Sequence, residues 1–374
     1  MRKAILVIVI AVVIGSIYYF ESKRPMRIVL TGDGKASEEI PLPAAPSAVA
    51  STSTNSKSLK IVSPGKANFP RAKEIAKPFG FINTPPIKLS DLVGKKIILI
   101  DFWTYSCINC VRTIPYLNAW YEKYKDKGFV ILGVHTPEFE FEKDYNNVSE
   151  AVKKFGIQYP VVLDNDYGTW NAYGNLYWPR EYLIDIEGYI VHDHIGEGGY
   201  VATEGAIQEA LEERMRVLNE SGEVAKDTAK PIGAGSVEFD KVKSPEIYFG
   251  SARNSLLGNG APNASGEQTF EAPAEVKKNT LYLSGRWSFS GEYAESRTRE
   301  AKIVFRYEAK NVYLVGSSEN GVNLKVLRDG KEVKSIEVKN EELYRLIDGT
   351  DYGEHTLEVI IQNPGLRVFT LTFG

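Results

Sequence analysis

The chain has 374 residues, 43% of them hydrophobic and 25% charged, a globular composition long enough for two domains that each bury a core. A formal net charge of -3 offers no electrostatic footprint for nucleic acid, so nucleic-acid binding is not expected. Two cysteines occur, both in the motif Cys107-Ile108-Asn109-Cys110, which excludes a framework of structural disulfides.

At the N-terminus, Arg2 and Lys3 precede an apolar run over residues 4–20, closed by Glu21, Lys23 and Arg24. At about 1.5 Å per residue this run just crosses the hydrocarbon layer of a bilayer as a helix. It ends in Ile17-Tyr18-Tyr19-Phe20, aromatics suited to a membrane interface rather than the small residues that cleavage requires. Residues 1–30 therefore read as an uncleaved transmembrane anchor, with a cleaved signal peptide as the rival. Basic residues flank both ends, so the charge rule leaves orientation open. Residues 31–60 are rich in Ala, Ser, Pro and Thr; such a stretch buries too little apolar surface to fold and reads as a flexible tether.

Over residues 61–221, strand-like and helix-like patterns alternate, which predicts an α/β domain with the sheet in the middle. Residues 96–103 (KIILIDFW) form an apolar run suited to a buried central strand, and a helix is expected to begin at the cysteines. Residues 129–134 predict a second strand, 148–155 a helix, 160–163 a strand, and 181–185 with 189–192 a hairpin around Gly188. A last helix is predicted over 203–218, with Thr203 as its N-cap. Residues 222–242 read as a linker. Beyond it, over 243–374, short alternating β-branched segments at 281–283, 302–307, 311–315, 323–328, 332–338, 355–362 and 367–373 predict an all-β sandwich.

The cysteine motif carries the chemistry. Disulfide exchange needs a thiolate that attacks and a second thiol that resolves the mixed disulfide. At a helix start, free N–H groups and the helix dipole favour a thiolate at Cys107, while Cys110 lies one turn on and deeper. Cys107 is thus the candidate nucleophile and Cys110 the resolver. The same spacing makes half of a zinc site, but His192 and His194 are too close in sequence for the other half, so no metal or other cofactor is expected.

Ile98-Leu99-Ile100-Asp101-Phe102-Trp103 running into Cys107-Ile108-Asn109-Cys110, with Pro115 beyond, resembles the active-site strand and helix of the thioredoxin family. The resemblance implies an α/β thioredoxin-like fold and thiol-disulfide oxidoreductase activity. It assigns Asp101 as the buried carboxyl that handles the resolving thiol's proton, and Pro179, after Trp178, as the cis-proline facing the disulfide. Further segments, among them residues 133–139, 159–162, 177–179 and 196–198, resemble exported, membrane-bound TlpA-type proteins and especially the soluble part of DipZ-type chains, including their carbohydrate-binding-module-like C-terminal region.

DipZ-type chains carry a multi-helix CcdA-like domain ahead of the thioredoxin part. A single span is read here, so electrons are expected from a separate CcdA-type membrane partner. Ile108-Asn109 replaces the thioredoxin Gly-Pro pair, which leaves the direction of transfer open. The implied protein is a single-pass cell-membrane oxidoreductase facing the extracytoplasmic side, acting on disulfide-containing protein substrates, with the β domain as the place for a carbohydrate or protein ligand.

Rival readings rest on other residues. His135, His192 and His194 admit a copper chaperone; Thr104 admits a peroxidase, although Ile100 stands where peroxiredoxins have proline. Tyr282, Trp287, Phe289 and Tyr293 could stack on a sugar or peptide in a surface-binding protein, or pack a core. Glu138 and Glu197 stand in the family-like segments, with two readings, an approach to the active site or, favoured here, ordinary surface carboxylates.

Overall fold

A computed structural model describes residues 66–231, 233–235 and 237–374. The anchor and the tether lie outside the described residues; among the described residues no helix is long and apolar enough to cross a membrane.

The first half builds a six-stranded sheet. Its strands and helices are β1 (Gly80–Ile82), β2 (Ile97–Trp103), α1 (Ile108–Tyr124), β3 (Phe129–His135), α2 (Tyr145–Lys154), β4 (Val161–Leu163), α3 (Gly168–Ala172), β5 (Arg180–Ile184), β6 (Ile190–Ile195) and α4 (Tyr200–Leu218). The strand order is β1-β4-β3-β2-β5-β6, with β2, β3 and β4 parallel and β5 and β6 antiparallel to their neighbours. The run Ile97–Trp103 is continuously apolar because both of its faces are covered. Ile97, Leu99 and Trp103 enter the core beneath α1 and α4, and Ile98, Ile100 and Phe102 a second core under Trp170.

One expectation needs correction here. Helix α4 starts at Tyr200, three residues ahead of the expected cap. Gly199 takes a left-handed φ of 62° and begins the helix, so Thr203 is an interior, buried residue whose Oγ1 lies 3.1 Å from His192 Nε2.

The second half is all β: β7 (Ile247–Tyr248), β8 (Gly266–Phe270), β9 (Leu281–Phe289), β10 (Ala294–Ser296), β11 (Ala301–Ala309), β12 (Val312–Ser317), β13 (Val322–Arg328), β14 (Lys331–Val338), β15 (Glu342–Ile347), β16 (Gly353–Ile361) and β17 (Arg367–Phe373). The expected sandwich of two sheets is instead one sheet, ordered β14-β13-β16-β11-β9-β10-β17-β12-β15, that curls nearly into a barrel. Strand β9 makes the turn. It pairs with β11 through Leu281 to Ser284 and with β8 and β10 beyond, and Gly285 between them takes a φ of +86° that a side chain would strain. The terminal strands meet where Lys334 Nζ donates to the Arg345 carbonyl at 2.7 Å. Tyr282, Trp287 and Phe289 are buried in this β half, so core packing is their role; Tyr293 is half-buried.

The two halves share a core. Phe369 of β17 packs against Phe139 and Phe141, ring centroids 5.2 and 4.7 Å away, in the loop between β3 and α2. Around it, Arg253 pairs with Glu138 at 2.7 Å and lies 3.7 Å over the Tyr248 ring, and the Tyr248 hydroxyl donates to Glu138 at 3.0 Å. Glu138 is therefore an interface group rather than a free surface carboxylate.

Candidate active site

The loop leaving β2 delivers Cys107 to the N-cap position of α1, where its backbone is extended and the first free N–H groups of the helix lie next to it. Cys107 is half-buried and Cys110 is 1% exposed. Both are free thiols. Burial pushes the Cys110 thiol well up, and the neighbouring Cys107 sulfur and the Asp101 carboxyl push it further, so it stays protonated at neutral pH.

Beneath the pair, Asp101 is 1% exposed, and burial raises its carboxyl to about 8. Its Oδ1 has no hydrogen-bond partner. Directly across the antiparallel ladder stands Glu181 of β5, also 1% exposed, with a partnerless Oε2. Burial, then the Asp101 charge, lifts Glu181 to about 8, against a hydrogen bond from Thr203. The buried Tyr159 hydroxyl joins them; it too lacks a partner and is pushed up by burial and by Asp101, Cys110 and Glu181. Cys110, Asp101, Glu181 and Tyr159 thus form one buried polar cluster at the redox pair. Glu181 escaped the sequence reading, although an acid at an inward position of an apolar strand, two residues after Pro179, is the same signal that marked Asp101.

The Trp178-Pro179 bond is cis. Pro179 stands immediately before Arg180, which pairs with Phe102, so it sits at the end of β2 from which the chain runs to Cys107. The indole Nε1 of Trp178 donates to the Thr136 carbonyl at 3.1 Å, holding that loop.

Two further carboxylates hold the motif. Glu142, fully buried, accepts from the Ser106 N–H and hydroxyl through Oε1 (3.3 and 2.7 Å) and from the N–H groups of Glu138 and Phe139 through Oε2 (2.6 and 3.0 Å). It clamps the residue preceding Cys107. Burial raises its carboxyl, and these bonds oppose the shift. Glu197, for which the sequence favoured the surface over an approach to the active site, has a side chain only 3% exposed and pairs with Arg112 at 2.8 Å. The same guanidinium donates to Asn109 Oδ1 at 2.8 Å, so Glu197 steadies a residue between the cysteines.

His135 is fully buried beside Tyr105 and Trp103, and burial lowers its imidazole to about 3, leaving it neutral. Thr104 Oγ1 lies 3.4 Å from its Nε2. Among the described residues no group of three or more His, Cys, Asp or Glu side chains is arranged to hold a metal ion.

The family described as Redoxin matches residues 83–230, and the family of thioredoxin-like C-terminal domains matches residues 244–374. Protein DipZ of Mycobacterium tuberculosis is 38% identical over 301 residues, 79% of this chain and 41% of DipZ. The chain thus spans about two fifths of the length of that relative. Thiol-disulfide oxidoreductase YkuV of Bacillus subtilis is 31% identical over 122 residues, 33% of this chain and 82% of YkuV. Thiol-disulfide oxidoreductase ResA of Bacillus thuringiensis is 34% identical over 122 residues, 33% of this chain and 67% of ResA. With relatives matched over most of their own length, and with a paired thiol at the head of α1 on a sheet of this order, the chain belongs to the thioredoxin-like family of thiol-disulfide oxidoreductases.

Proposed function

We propose that this protein is a membrane-anchored, extracytoplasmic thiol-disulfide oxidoreductase that reduces disulfides in exported proteins. The observation that carries the redox reading is the asymmetry of the thiol pair: a half-buried Cys107 at the helix N-terminus above a buried, protonated Cys110 beside Asp101. The apolar run at residues 4–20 supports the anchor.

In this reading the Cys107 thiolate attacks one sulfur of a substrate disulfide, forming a mixed disulfide and expelling the first substrate thiolate. Cys110 gives its proton to Asp101 in the minor fraction of molecules in which that carboxyl, lifted to about 8, is ionised at neutral pH, and attacks the Cys107 sulfur. The mixed disulfide breaks, the second substrate thiolate leaves, and the Cys107–Cys110 disulfide forms. Two electrons have passed to the substrate, and a membrane dithiol donor of the CcdA type returns the pair to the reduced state. Pro179 borders the substrate at the disulfide, and the β domain recruits the protein partner.

The direction is tested by equilibrating the pair against glutathione and then dithiothreitol. A potential near or below about -250 mV supports reduction, and one near about -120 mV makes the protein an oxidant. Membrane anchoring is tested by fractionating cells that express the full chain and probing Cys107 with a membrane-impermeant thiol reagent.

A further inference from the structure

An open cleft of about 820 Å³ separates the active-site helix from the β domain. One wall is Tyr105, Ile108 and Val111, flanking both cysteines in sequence; the other is Tyr313, Ser317 and Leu343 of the β domain. Ile108, which directly follows Cys107, lines the cleft, although neither cysteine does, so the cleft begins one residue along the chain from the attacking one. A substrate disulfide at Cys107 must send its flanking chain somewhere, and this cleft is lined by the next residue of the chain and by the next turn of the helix.

The cleft is built to be filled. Its volume lies toward the upper end of ligand sites, which run from about 300 to about 1,000 Å³. Ser317, 4% exposed, carries a hydroxyl with no partner in the protein, which leaves a buried polar atom for a bound group to satisfy. The walls do not drift apart freely, since Asn147 Nδ2 donates to Glu341 Oε2 at 3.1 Å and Lys154 pairs with Glu342 across the gap. Beside its apolar residues the lining carries amide and hydroxyl groups and charged side chains of both signs, Lys339 and Arg345 with Glu150 and Glu319 among them, which suits a peptide backbone with polar and charged side chains.

We infer that the β domain is the second wall of the substrate site, and that the cleft takes an extended polypeptide segment next to the disulfide being attacked. This rests on the exchange activity proposed above and deepens it. The β domain would then select polypeptide disulfides over small-molecule ones by binding the chain, while Cys107 and Cys110 perform the same exchange on both.

The test compares rate constants of the pre-reduced full chain with insulin, a polypeptide disulfide, and with oxidised glutathione, a small one. Asn340 is exposed on the cleft rim and Glu332 is exposed away from it. For Asn340→Trp the ratio of the insulin to the glutathione rate constant is expected to fall about tenfold, equivalent to about 1.4 kcal/mol of lost discrimination. For Glu332→Trp the ratio is expected to stay at the wild-type value, and Leu343→Ala, which removes side chain without filling the cleft, gives an independent second reading of the same wall. An unchanged ratio in both cleft variants overturns the inference, as does an equal fall with both substrates. A wild-type protein that reduces neither substrate overturns the exchange reading itself, a separate outcome.

Discussion

Asp101 on β2 and Glu181 on β5 face each other across an antiparallel register, both 1% exposed and each with an oxygen that nothing bonds. Two carboxyls so placed cannot both ionise cheaply, and the Asp101 charge adds to burial in holding the proton on Glu181. For Asp101→Asn the ionisation of Glu181 is expected to move to lower pH, because the neighbouring charge is gone. The check is the protonated-carboxyl infrared band followed against pH; a band that titrates as in the wild type removes the coupling. In Asp101→Asn the release step should slow by about 10²-fold at pH 7, the usual contribution of a positioned proton acceptor, read by stopped-flow tryptophan fluorescence.

The same burial has a cost in stability with a definite pH window. Asp101 rises from its ordinary value of 3.8 to about 8 in the fold. Between those limits the native state holds a proton that the unfolded chain releases, so stability present in acid is lost as pH rises towards 8. Asp101→Asn should therefore stabilise the protein by about 2 kcal/mol at pH 8 and hardly at all at pH 4. Urea unfolding at the two pH values decides it, and an equal gain at both would point to packing instead of ionisation.

Glu142 is saturated by four donors, two on each oxygen. A glutamine cannot accept on both sides, so Glu142→Gln turns an NH₂ towards one pair of donors. The expected loss is about 2–3 kcal/mol, with faster alkylation of Cys107 as the Ser106 loop loosens. Calorimetry and iodoacetamide kinetics measure the two effects.

Glu197→Ala leaves the Arg112 guanidinium, with a side chain 9% exposed, without its carboxylate. A loss of about 3 kcal/mol is expected, with part of it recovered in the double variant that also replaces Arg112. Full additivity in that cycle would show that the pair is not coupled.

Much of the site was legible because its signals are local. A two-cysteine motif, an acid in an otherwise apolar strand and a proline ahead of the next strand are each read within a few residues. Glu181 and Glu142 were not, since the importance of Glu181 comes from a cross-strand register and that of Glu142 from loop contacts 36 residues apart. In the β half, strands with clean alternation such as β13 and β16 were readable, while β8 and β15 were missed because most of their residues are only partly covered or exposed. The curling of two expected sheets into one depends on a bend at Gly285, which no hydrophobic pattern announces.

Phe369, which lies against Phe139 and Phe141, belongs to β17, the last strand of the sheet in sequence. During synthesis Phe139 and Phe141 leave the ribosome more than two hundred residues before that ring, and the redox half is complete at Leu218 with this aromatic pair still uncovered. The loop that carries Glu142 and braces Cys107 is then sealed only when residue 369 has been made. A chain that stops short of that residue would present its thiol pair with an unsealed flank.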